Sequence, residues 1–103
     1  MHATIRRYEL ADASRAGELA EKVSSGLAPL LSELPGFAGY RFIDLGQGVM
    51  TSIGIFETEE QAGESSRVAA KWVTDSNLGD IVPAPTITSG EVVAAADPVA
   101  AAV

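Results

Sequence analysis

Arg7, Tyr40 and Trp72 are the side chains in this sequence best suited to hold a small ligand. A guanidinium binds a phenolate, enolate or carboxylate through paired charge-assisted hydrogen bonds, although Arg7 could equally pair with a nearby carboxylate or reach solvent from a strand end. The Tyr40 phenol can donate to a substrate oxygen or serve as a general acid, or it can be satisfied by a backbone carbonyl. Phe42 shares its parity with Tyr40 along the chain, and Tyr8 carries the same two readings. An indole face at Trp72 could stack on an aromatic ligand, but a lone tryptophan on a helix is more commonly core or interface. His2 stands next to the initiator methionine, where a surface histidine is the ordinary finding and no serine-histidine-aspartate set can be assembled. Glu57, Glu59, Glu60 and Glu64 form an acidic group whose first three members flank a helix start, a position that the helix dipole favours for negative charge.

Composition removes whole classes of chemistry. Cysteine is absent, which excludes disulfides, thiolate metal sites and a cysteine nucleophile, and makes a cytoplasmic location the expectation. No metal or cofactor motif is present, and Gly46-Gln47-Gly48 lacks the following helix that a phosphate loop requires. The formal charge is -7, and the only adjacent basic pair is Arg6-Arg7, so a nucleic-acid partner is not expected. No apolar run approaches the roughly 20 residues that span a bilayer, so neither is a membrane partner. The 103 residues fit one domain over 1–96, followed by an alanine-rich tail over 97–103.

The elements that must position these residues follow from periodicity. Ala3 to Tyr8 reads as a strand, because Thr4, Ile5 and Tyr8 favour extended backbone. Ala16, Leu19, Ala20, Val23, Leu27, Leu30, Leu31 and Leu34 recur at three-and-four spacing and predict a helix. Gly26 and Pro29 should kink or break it, since Pro29 cannot donate to the Ser25 carbonyl. Phe37–Asp44 and Val49–Glu57 then form a hairpin across Leu45-Gly46-Gln47-Gly48. Thr58 and Gln61 are spaced as a capping box that opens a second helix, ending near Asn77–Gly79. A last strand is expected over Thr86–Ala95, with Gly90 as a possible bulge.

The order β-α-β-β-α-β is the ferredoxin-like plan, an α+β fold with an antiparallel four-stranded sheet and two helices on one face. Strand three has Val49, Ile53 and Ile55 on one side and Met50 and Phe56 on the other, so both sheet faces are apolar. Two helices cover one face, and a homodimer partner is expected on the open one. Inside, the second helix presents Ala62, Ser66, Ala69 and Ala70, small residues that leave either a ligand cavity with Ser65 or Ser66 as polar contact, or close helix-to-sheet packing.

The element order, Leu34-Pro35-Gly36-Phe37, and the run Ile55-Phe56-Glu57-Thr58-Glu59-Glu60-Gln61-Ala62 resemble the antibiotic biosynthesis monooxygenase family of dimeric α+β barrels, over Ala3 to about Ala95. The resemblance implies a homodimer, a cleft between sheet and helices toward which Arg7 points, and a small aromatic ligand near Arg7, Tyr40, Phe42, Ser66 and Trp72. It also implies one of two activities. In the haem-degrading branch, the positions of the strand-one asparagine, the helix-two tryptophan and the haem-ligating histidine hold Arg7, Ser66 and either Ser76 or Asn77, so haem cleavage is not expected. Cofactor-free oxygenation of a phenol or enolisable compound needs only shape, desolvation and polar contacts, because the substrate supplies the electrons. A non-catalytic ligand-binding or structural homodimer is the alternative.

Overall fold

Strand-favouring residues at the chain start form β1 (His2–Glu9), and its alternating burial shows that one side of the strand lies beneath helices. The structure, a computed structural model, describes residues 1–97; the rest of the alanine-rich tail, 98–103, lies outside the described residues. After β1 the Asp12 carboxylate caps a short 3-10 turn by accepting from the Ser14 backbone N–H at 3.0 Å. A helical rod follows, made of α1 (Ala16–Lys22), a π-helical turn over Val23–Leu27, and α2 (Ala28–Ser32). The expected break therefore takes the form of a widened turn. Pro29 has no N–H for the Ser25 carbonyl, and the Ala28 N–H reaches back five residues to Val23 O. Gly26 sits in this turn because a Cβ there would stand 2.9 Å from Trp72 Nε1.

β2 (Phe37–Gly46) and β3 (Val49–Phe56) make the hairpin. Gln47 and Gly48 both adopt positive φ (56° and 80°), the geometry of a turn whose twist matches that of its strands. α3 (Glu59–Asp75) opens on the capping box: Gln61 N–H donates to Thr58 Oγ1 at 3.2 Å, and Thr58 N–H donates to Gln61 Oε1 at 3.1 Å. It closes with Asn77 at φ 56°, where the Leu78 N–H returns to Val73 O at 3.0 Å and the Asn77 N–H to Thr74 O at 3.1 Å. Buried Leu78, Ile81 and Val82 then anchor the irregular segment that leads to β4 (Thr86–Glu91). This last strand is shorter than expected. Its pairing with β1 runs without a shift from Arg7↔Thr86 to His2↔Glu91, so Gly90 makes no bulge.

The four strands form one antiparallel sheet in the order β2-β3-β1-β4, and the fold is the α+β ferredoxin-like arrangement. Helices cover the face that carries Tyr8, Met50, Ser52 and Phe56, and the leucine stripe of the rod packs there through Leu19, Val23, Leu27 and Leu31. Leu30, also in the predicted stripe, is exposed. On the other face Ile53 and Ile55 are half-buried, while Ile5 and Ile43 are exposed.

Candidate functional site

A cleft of about 320 Å³ lies between the C-terminal half of α3, the sheet and the segment 79–85. The small residues of α3 have different surroundings at its two ends. In the N-terminal half Ala62 and Ser65 are buried and α3 sits close on the sheet, whereas Ser66, Ala69, Ala70 and Val73 line the cleft farther along. Val82, Pro83 and Pro85 supply the opposite wall, held there by the Leu78 anchor, and Ile87 of β4 stands at the mouth, 53% exposed.

The floor of the cleft comes from β1. Thr4, Arg6 and Tyr8 point toward the helices, while Ile5 and Arg7 point to the open face. Arg7 therefore does not reach the cleft: its guanidinium is half exposed and pairs with Glu9 at 3.5 Å. A pair of this kind contributes little. The physical reason is a choice of face. Ala3, Ile5 and Arg7 do share a side, but that side is the uncovered one.

Arg6 takes the inward position. It is 1% exposed, its Nε donates to Ser52 Oγ at 3.3 Å and its Nη1 donates to Ser66 Oγ at 3.2 Å. Ser52 stands directly opposite Arg6 in the β1-β3 register, and Ser66 reaches it from α3. Nη2 is buried with no hydrogen-bond partner among the described residues. Sequence reasoning missed Arg6. The available signal was Ser52, a hydroxyl on the same parity as buried Met50 and Phe56, which needs a donor if it is enclosed.

Tyr40, Phe42 and Trp72 come together, but in the packed core beside the cleft. With Leu19, Val23 and Leu27 they surround a residual space of about 10 Å³, at the limit of what one water needs. None of the three lines the cleft, and Trp72 packs onto Gly26 of the π-helical turn. Of the residues expected at a ligand site, only Ser66 is in the cleft wall.

Burial pushes the Tyr40 phenol from its ordinary 10.0 up to about 12, with Arg6 opposing the shift, and it raises Tyr8 as well. Tyr40 thus stays neutral through the physiological range. A phenol whose folded pKa is raised stabilises the fold fully below pH 10, and that contribution is lost as pH rises through about 12. For Tyr40 it amounts to about 2–3 kcal/mol. These are the only two tyrosines in the chain. Native protein at pH 10 should accordingly show less tyrosinate absorbance than denatured chain, which shows about half its maximum. An equal signal in both would contradict this placement of the two phenols.

His2 lies at the far end of β1, beside Glu57, Glu59 and Glu91, away from the cleft. Among the described residues no group of three or more histidine, aspartate and glutamate side chains could hold a metal ion. No helix there is long and apolar enough to cross a membrane.

No family model matches the sequence, and no curated protein matches it. Solved structures do match. A protein of unknown function from Nitrosomonas europaea, NE2512, superposes with a TM-score of 0.74 at 20% identity, over 96% of this chain and 95% of that one. The ActVA-Orf6 monooxygenase of Streptomyces coelicolor, solved with nanaomycin D, gives 0.70 at 17% identity, over 95% and 92%. SnoaB, a cofactor-independent oxygenase from Streptomyces nogalater, gives 0.68 at 10% identity, over 91% and 94%. The chain has the fold of the antibiotic biosynthesis monooxygenases. At these identities the likeness is one of fold, and the monooxygenase fold carries unrelated activities on different side chains. Arg6 is the one charged side chain in the cleft wall.

Proposed function

We propose that the cleft binds a small aromatic or enolisable compound and that the chain oxidises it with molecular oxygen, without a cofactor. The observation that carries this reading is the cleft itself. It is ligand-sized, walled mainly by alanine, valine and proline, and polar only where Arg6, Tyr8, Ser66 and Thr74 meet it. An apolar cavity of about 150 Å³ takes up one benzene ring, so a space of about 320 Å³ suits two fused rings. The names of two fold relatives, a monooxygenase solved with nanaomycin D and a cofactor-independent oxygenase, lend support.

In such a reaction the substrate supplies all the electrons. For a naphthol, C10H8O and O2 give the quinone C10H6O2 and H2O, with one oxygen atom entering the ring and the other leaving as water. The chain's own residues would desolvate the ring, orient it, and stabilise the electron-rich oxyanion through Arg6 and Ser66. A second copy is proposed to cover the open sheet face, where Ile5, Ile43 and Leu45 are exposed.

Purified protein in air-saturated buffer with 1-naphthol should consume oxygen and release quinone in equal amounts above the uncatalysed rate. Ala70→Trp, which fills the cleft from an exposed helix position, should abolish that excess. An unchanged rate in the variant would place the chemistry elsewhere. No excess with any electron-rich phenol would favour the second reading, a non-catalytic ligand-binding dimer. That reading is supported by the cleft wall, in which no carboxylate or imidazole stands ready to take a proton.

A further inference from the structure

The positive charge of Arg6 has no counterion within 4 Å among the described residues, whose ion pairs all involve other side chains. Its two hydrogen bonds go to neutral serine hydroxyls, at 3.3 and 3.2 Å, and Nη2 makes none. Taking a guanidinium out of water without an opposite charge is among the costliest arrangements a fold can hold. The two nearby phenols supply no opposite charge, since Tyr8 and Tyr40 are both pushed toward their neutral form. The chain is acidic overall at -7, yet no acidic side chain lines this cleft.

We propose that the cleft selects a planar organic monoanion, a fused-ring carboxylate, phenolate or enolate, with its oxygen on the Arg6 guanidinium and its rings against Ala69, Ala70, Val73 and Val82. This rests on the reading of the cleft as a ligand site, and it names what that site accepts. Nη2 is covered by its surroundings, so a small change in the arginine torsions accompanies binding. With no base in the wall, a weakly acidic ligand enters already ionised or gives its proton to solvent. Its affinity therefore rises with pH as the ligand itself ionises, and no protein group sets the midpoint.

Calorimetric titration at pH 7 with 2-naphthoate and its neutral near-isostere 2-naphthamide tests this directly. Wild-type protein should bind the carboxylate on the order of 10-fold more tightly or better, as a charge-assisted hydrogen bond to a buried partner implies. Arg6→Met should fold, because a buried charge replaced by an apolar side chain of similar length is often tolerated. It should lose the preference while keeping affinity for the amide, and Arg6→Lys should retain part of the preference. Equal binding of the two ligands by wild-type protein would overturn the anion assignment and leave the cleft as a ligand site. Binding of neither would overturn both. The wild-type comparison decides the matter even if Arg6→Met fails to fold, and a preference that survives in a folded Arg6→Met would also overturn the assignment.

Discussion

Phe56→Ala is expected to cost about 3–5 kcal/mol, the usual toll for truncating a fully buried aromatic ring. Phe56 is 0% exposed at the end of β3, and its ring meets that of Phe37 edge to face with centroids 5.7 Å apart. These two rings close the end of the sheet before α3, and Phe56 lies outside the leucine cluster of the helical rod, against which Phe37 packs. The site collapses poorly on truncation because backbone surrounds it: Phe56 pairs across the sheet with both His2 and Phe37. A domain of this size has roughly 5–15 kcal/mol of total stability, so the loss takes about a fifth or more of it. The melting temperature should fall by on the order of 15–30 °C. Thermal unfolding followed by circular dichroism checks this, and a fall of only a few degrees would show that the Phe37–Phe56 pair is peripheral.

Gly36→Ala should cost about 2–4 kcal/mol through two additive causes. Gly36 holds φ at 77°, where a Cβ costs roughly 1–2 kcal/mol. That Cβ would also fall on the side-chain amide of Gln61, well inside contact distance. Gln61 can move, but only by abandoning the Thr58 N–H that it caps, and a lost cap costs roughly another 0.5–2 kcal/mol. The Gly36 carbonyl meanwhile accepts from the Glu57 N–H at 2.9 Å, tying the turn before β2 to the β3-α3 junction. Denaturant unfolding of Gly36→Ala beside Gln61→Ala separates the causes. The glycine variant should lose more than the glutamine variant, and equal losses would mean that the backbone conformation contributes nothing.

Local signals in the sequence were sufficient for most of the fold. The Thr58–Gln61 box, the Gly-Gln-Gly hairpin, the leucine stripe and the Pro29 interruption each act over a few residues, and each appears in the structure. What failed depends on partners distant in the chain. β1 carries Ala3, Ile5, Arg7 and Glu9 on one side and His2, Thr4, Arg6 and Tyr8 on the other, and the family resemblance turned the Arg7 side toward the cleft. The register reverses that choice, because the Tyr8 and Arg6 side meets Met50 and Ser52 beneath the helices. The arginine that lines the cleft is as a result Arg6 and not Arg7, since a shift of one position in a strand changes the face of its side chain. A second irregularity, the bulge between Phe37 and Gly39, lets Phe37 and Tyr40 pack against the same cluster three residues apart, which strict alternation forbids. Ala38, which alternation groups with Tyr40 and Phe42, falls in that bulge and is exposed. Ser66 was legible because helical periodicity alone carries it to the sheet side of α3. The cleft beside it depends on where Leu78 anchors the following segment, which no short-range pattern encodes.

Ligand is proposed to enter between α3 and the sheet and to meet Arg6. Amide chemical-shift mapping of isotope-labelled protein titrated with 2-naphthoate tests it most directly in a chain of 10.6 kDa. Saturable shifts are expected at Arg6, Ser66, Ala69, Ala70 and Ile87, with Arg41, Ile43 and Thr51 on the open face unmoved. Shifts confined to that open face, or none at all, would contradict it.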